Sequence, residues 1–433
     1  MRVFFVGDNS DNPNWGCRST SLALRRMVEE SGGEIAHTLF WSRMGKRDRY
    51  VPGKVPRLIE HLLGAAVDSI PRARGTVKLI ARRAFGSTWD RISGAHDTVP
   101  RSFAEFEPFA EKVIKDEIFQ PERRALEECD LVVINGEGSI YDTQRTGRMN
   151  LFIAYLAKRH FGKPCILVNH TADIGNECMA EMVSRVYPLL DDIVFREHLS
   201  AEKCSAFVRG DNSTLGADAA FTYRPAKNPA WSCVAAREGY FSVWPDSASG
   251  FNPLEPYVCV GGSSIYLRPD RPQYDPVPGF IALCEMLQKK VGQVLLTAPC
   301  TTDEKIFRPI SRELHLPLIG LATPTQQAVD ILGHARAYVS GRWHPSIFAL
   351  TGGTPIVTLT ANTFKTDALN RQAGLEGQTF DALKLHEEIE PIVELTRTYV
   401  TQGEALRRRL RNRVRSLSKL AWRNVRYLRD SMT

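Results

Sequence analysis

Short apolar runs, each followed by a stretch with helical periodicity, recur through both halves of this 433-residue chain. In the first half the runs expected as strands are Arg2–Val6, Leu131–Ile134, Cys165–Val168 and Ile193–Phe195. Helical patterns follow at Met149–Arg159, Cys178–Leu190 and Ser200–Phe207. In the second half, runs at Tyr257–Val260, Val294–Thr297, Leu318–Ile319, Ala337–Ser340 and Ile356–Leu359 alternate with helical patterns at Gly279–Lys290, Asp303–Leu314, Thr325–Leu332 and Pro345–Leu350. A strand that is apolar throughout has both faces covered, and parallel neighbours need a crossover helix between them. Few folds satisfy both conditions.

The pattern predicts an α/β chain with two Rossmann-like domains facing a central cleft, a GT-B-like architecture, with ligands outside the carboxyl ends of the strands. The expected divisions are 1–225, 226–400 and a tail at 401–433, with a linker at Arg224–Pro229. Residues 44–104 break the rhythm. They are rich in Pro and Arg, carry short amphipathic pieces at Leu58–Ala66 and Val77–Phe85, and are read as an insertion or lid. One helix is expected from Ser19 to Glu30 and a single long one over Phe103–Glu128.

A hydrophobic share of 43% with 24% charged residues excludes a disordered or fibrous chain. The opening MRVFFVGDNSDNPNWG lacks the pattern of a secretory signal, and no run approaches the roughly 18 apolar residues that a membrane span needs. The nine cysteines are scattered without a C-x-x-C pair, which reads as reduced thiols in a cytoplasmic protein. No metal-ligand spacing, Walker A or G-x-G-x-x-G sequence occurs, so no cofactor is expected.

The densest chemistry lies at 335–357, ARAYVSGRWHPSIFALTGGTPIV. It reads as strand, tight turn, helix, turn, strand, and sets Arg342 and His344 beside a helix N-terminus, where free N–H groups favour anions. An arginine fork holds carboxylate or phosphate in bidentate fashion, and an imidazole titrates near neutrality. The segment therefore suits an anionic ligand that must exchange a proton.

Ser340-Gly341-Arg342-x-His344 with the following Ala349-Leu350-x-Gly352 resembles the signature of the polysaccharide pyruvyl transferase family. Ile134-Asn135-Gly136-Glu137-Gly138-Ser139-Ile140, Val194-Phe195-Arg196-Glu197-His198, Gly216-Ala217-Asp218-Ala219 and Phe364-Lys365 agree with it in order and spacing. The family's opening Asn-x-Gly-Asp is here Asn14-Trp15-Gly16-Cys17, without the acidic residue. The resemblance implies a transferase that moves the enolpyruvyl unit of phosphoenolpyruvate onto a sugar hydroxyl, usually as a pyruvate ketal. The acceptor it implies is a cell-surface polysaccharide or its lipid-linked precursor. It assigns His344 as the acid–base group. Arg342, with Arg196 and Lys365, is expected to bind the donor anions. Asn14, Glu137, Ser139 and Asp218 are expected at the cleft or the acceptor. A GT-B glycosyltransferase with a nucleotide-sugar donor would share the architecture, and a non-catalytic glycan-assembly scaffold is a third reading.

The net charge of +7 belongs to the tail. Residues 403–430 hold ten Arg or Lys against Glu404 and Asp430, which leaves the rest of the chain at net −1. Leu406, Leu410, Val414, Leu417, Ala421, Val425 and Leu428 form one helical stripe. Such a basic amphipathic helix suits peripheral attachment to an anionic membrane face; alternatively the stripe packs on the body. No base-reading motif accompanies the charge, so nucleic acid is not the expected partner.

Overall fold

The structure is a computed structural model that describes residues 1–45, 49–50, 96–237, 239–241, 251–268 and 272–431. In the first half the strands are β1 (Arg2–Asp8), β2 (Glu34–Phe40), a short antiparallel pair β3 (Arg49–Tyr50) and β4 (His96–Asp97), then β5 (Leu131–Tyr141), β6 (Cys165–Asp173), β7 (Asp192–Phe195) and β8 (Ser213–Leu215). In the second they are β9 (Tyr257–Ser263), β10 (Gln293–Thr297), β11 (Leu318–Ile319), β12 (Tyr338–Gly341) and β13 (Ile356–Thr358). Two parallel sheets result, ordered β2-β1-β5-β6-β7-β8 and β11-β10-β9-β12-β13. Each sheet reverses its order once, between β1 and β5 and between β9 and β12, and those reversals open the crevices where α/β sheets bind ligands.

Most of the inserted segment 44–104, including Leu58–Ala66 and Val77–Phe85, lies outside the described residues. The first helix begins earlier than expected, at Trp15, because the Asn14 side chain accepts from the N–H groups of Gly16 and Cys17. The helix expected over Phe103–Glu128 is instead two, Phe106–Ile114 and Gln120–Glu128, after a single 3-10 turn. Asp116 and Phe119 adopt left-handed backbone conformations between them, and Pro121 opens the second. β5 runs seven residues past Ile134, so Glu137 lies in an irregular strand and not in a loop. β2 was not expected: its intermediate burial beside β1 leaves no continuous apolar run.

The tail resolves the two readings of its stripe. One helix spans Ile389–Ala421 with a break at Gly403, where φ is 52°. Leu406, Leu410, Val414, Leu417 and Ala421 are buried in the core of the second sheet, and Val425 and Leu428 in that of the first. The stripe thus ties both halves together, and an interfacial helix with that face in lipid is overturned. The arginines also have internal work. Arg407 donates to the carbonyls of Gly333 (2.7 Å) and Gly352 (3.1 Å), at the ends of two helices where a cation is favoured. Arg426 pairs with buried Asp192 at 2.6 Å. No described helix is long and apolar enough to cross a membrane. Removing residues 403–433 is therefore expected to yield unfolded or aggregated protein, and Leu410→Ala to cost about 2–5 kcal/mol in urea unfolding. A soluble, folded truncation would contradict this packing.

Candidate active site

The two crevices meet, and the residues that converge there come from both halves. Asp218, fully buried after β8, is their hub. Its Oδ2 accepts from Arg196 Nη1 at 2.9 Å and from Trp343 Nε1 at 2.8 Å, and its Oδ1 from the Ala220 N–H at 2.9 Å. His344 Nε2 stands 3.5 Å from Asp218 Oδ2 and has no closer polar partner among the described residues. Arg196 is itself buried at the end of β7, donates through Nε to Thr171 at 2.8 Å, and lies over the Trp343 ring at 4.8 Å. Burial alone would raise the Asp218 carboxyl. The fields of His344 and Arg196 with the Ala220 N–H outweigh it and hold the group well below the carboxylate range.

The Trp343–Thr351 helix carries His344 in its first turn. On the other side, the first turn of the Trp15–Glu30 helix comes so close that a Cβ at Gly16 would sit 3.0 Å from His344 Cβ. Two helix N-termini therefore flank the imidazole, and both favour negative charge there.

Glu137 lies at the β1–β5 crevice with a positive φ of 41°. Its Oε1 accepts from Asn9 Nδ2 at 3.0 Å and from Asn135 Nδ2 at 3.2 Å. Burial raises its pKa, an effect that His344 and Arg196 offset only in part. The flanking glycines serve packing: a Cβ at Gly136 would stand 2.3 Å from that of His170, and one at Gly138 3.3 Å from Arg196 Nη2.

Lys365 opens the Lys365–Ala373 helix across the cleft and, among the described residues, donates to Asn362 Oδ1, at 2.6 Å. Burial, with repulsion from Arg196 and Arg342, lowers its pKa to about 7. Cys17, partly exposed, shares the field of Glu137 and Lys365; burial and then Glu137 push its thiol well up, so it is not poised as a thiolate.

The structure places three expected residues differently. Arg342 is held by Asp303, with Nε to Oδ2 at 2.8 Å and Nη2 to Oδ1 at 2.6 Å, and its Nη2 also reaches Cys300 Sγ at 3.0 Å. Asp303 keeps that guanidinium firmly protonated. The fork expected for the donor is therefore occupied by a carboxylate, because Asp303 starts a helix that abuts the β12 turn. Asn14 caps its helix, as described above, and Ser139 Oγ donates to the Gly136 carbonyl at 2.7 Å and accepts from Asn150 at 3.1 Å, so both side chains are engaged in local bonds. Asp303, Trp343, Asn9 and Thr171 were missed. Trp343 lies inside the motif and was legible there, whereas Asp303, 39 residues before Arg342, carried no local signal. Among the described residues no cluster of three or more His, Cys, Asp or Glu is arranged to hold a metal.

The family model for polysaccharide pyruvyl transferase matches residues 80–362, well over half the chain. No curated protein matches it. Among solved structures it is similar to sucrose-phosphate synthase from Thermosynechococcus elongatus, at 11% identity and a TM-score of 0.53 over 100% of this chain and 99% of that one. Arabidopsis thaliana UGT89C1 complexed with quercetin gives 12% identity and 0.52 over 100% and 99%. The spinosyn rhamnosyltransferase SpnG complexed with thymidine diphosphate gives 12% and 0.50 over the full length of both. These likenesses show the fold, two Rossmann-like domains in the GT-B arrangement. Five motifs running from β5 to the helix at Lys365, the hub they build and the family match agree, and the chain belongs to the polysaccharide pyruvyl transferase family.

Proposed function

We propose that this transferase moves the pyruvyl unit of phosphoenolpyruvate onto two hydroxyls of a sugar in a polysaccharide or its lipid-linked precursor. One observation carries the reading: an imidazole whose Nε2 stands 3.5 Å from the ionised Asp218 carboxylate sits between two helix N-termini, near a lysine with no carboxylate partner among the described residues. In the reaction, one hydroxyl proton ends on the donor methylene, which becomes a methyl. The hydroxyl oxygens bond to C2, and the C2–O bond to phosphate breaks. Phosphate leaves carrying the second proton. His344, held against Asp218, moves a proton to or from the reacting atoms. Glu137, whose raised pKa suits proton exchange, accepts a proton from a sugar hydroxyl. Lys365 and Arg196 face the donor anions, and Arg342, neutralised by Asp303, braces the turn that carries His344. A pocket of about 10 Å³ beside Lys365 has room for about one water.

Lys365 makes donor binding pH-dependent. Its charge is lost as pH rises through about 7, while a phosphomonoester is already dianionic above about pH 6. Donor affinity should then fall with pH above 7, by up to about tenfold per unit, and Lys365→Arg should flatten the profile. Calorimetry across pH 6–9 checks this; an unchanged profile in the variant removes Lys365 from the donor site. The overall reading is tested by adding phosphoenolpyruvate, or nucleotide sugars, to the purified protein. Stabilisation and acceptor-dependent phosphate release with phosphoenolpyruvate alone support it. A response confined to nucleotide sugars replaces it with a glycosyltransferase.

A further inference from the structure

A cavity of about 840 Å³ lies away from this cleft, between the segment after Tyr223, the amino ends of β9 and β12, and the helix of the tail. Arg336 enters it just before β12, and Arg342 follows that strand, so the two sites lie at opposite ends of the strand, about 20 Å apart along an extended chain of six residues. Six cations line the cavity; Arg411 pairs with Glu404 and Arg407 donates to the Gly333 and Gly352 carbonyls, while Arg224, Lys227, Arg336 and Arg415 have no carboxylate partner among the described residues. Arg224 donates through one nitrogen to the carbonyls of Phe221 and Tyr223, and Arg415 through one to Asn412; their other nitrogens remain. The two carboxylates in the lining are already engaged: Glu404 pairs with Arg411 of the same lining, and Glu255 accepts from Asn252 at 3.2 Å and Gln293 at 3.4 Å. Trp231, stacked on His334 at 4.3 Å, forms an apolar wall.

We infer that this cavity is an anion site for a ligand carrying two or more adjacent phosphoryl charges. Four unneutralised cations around one concavity exceed what a single carboxylate can balance, and three of the four are arginines, whose forks match phosphate oxygens. The volume lies within the range of small-molecule sites. Repulsion supports the same assignment: after burial, the field of Arg415 is the cause that lowers the pKa of Arg224. This inference is independent of the donor reading, because it uses none of the cleft residues.

The test is calorimetric titration of the full chain with tripolyphosphate at low ionic strength. Wild-type protein should bind, with affinity falling as salt is added. The quadruple variant Arg224→Ala, Lys227→Ala, Arg336→Ala, Arg415→Ala should bind at least about tenfold more weakly, through loss of charge-assisted contacts, at an unchanged melting temperature. Lys365→Met, altered only in the cleft, should bind as wild type. Cosedimentation with vesicles containing phosphatidic acid assigns the source: pelleting of wild type but not of the quadruple variant means a lipid headgroup, and tripolyphosphate binding without pelleting means a soluble phosphate ligand. Absence of wild-type binding, equal binding by the quadruple variant, or loss confined to Lys365→Met overturns the inference.

Discussion

Replacing His344 by asparagine is expected to lower turnover by about 10²–10⁴-fold, the usual contribution of a positioned acid–base group. The change keeps a polar side chain at the turn, so Asp218, Trp343 and the first turn of the Trp15–Glu30 helix retain their packing. The stabilisation of the protein by phosphoenolpyruvate should persist, because the cations stay in place. Single-turnover rates with a saturating donor provide the measurement. Wild-type turnover in the asparagine variant would show that the imidazole serves packing alone.

The second large effect is on stability. Asp218→Ala removes the acceptor shared by Arg196 and Trp343 Nε1, and leaves a guanidinium only 2% exposed without a counter-charge. Breaking a buried pair in this way costs about 3–5 kcal/mol. Asp218→Asn should cost less, since its remaining oxygen still accepts one of those bonds. The sign of the pH dependence follows from the depressed carboxyl. Its stabilisation is complete above the ordinary carboxylate range and is lost only as pH falls through the lower folded value. Urea unfolding of the three proteins at neutral pH makes the comparison, and an alanine variant as stable as wild type would dismiss Asp218 as the hub that joins the halves.

The physical logic of the site explains which of its parts were readable in advance. His344, Arg196 and Asp218 follow closely on the carboxyl ends of strands, which periodicity locates, while Glu137 lies inside the extended β5 and Lys365 opens a helix after β13, and the fold brings the five together. Arg342 was legible as a fixed cation at such an end, but not as a neutralised one. Its fate depends on Asp303, which a helix between two other strands delivers.

The tail marks the same boundary. Its spacing of Leu406, Leu410, Val414, Leu417, Ala421, Val425 and Leu428 determined a helix with one apolar face, because side-chain direction on a helix follows from position alone. What that face touches was undetermined, since lipid and a protein core reward apolar burial alike. Tertiary structure decided it by presenting the cores of both sheets to the stripe, and by supplying helix-end carbonyls and Asp192 to Arg407 and Arg426. The sequence by itself determined the two parallel sheets, through buried runs that only a parallel sheet covers on both faces, and the chemical types at their carboxyl ends. Pairings between distant segments, Asp303 with Arg342 and Trp343 with Asp218, were left to the tertiary structure, because charge and hydrogen bonding depend on separation in space and carry no periodic trace along the chain.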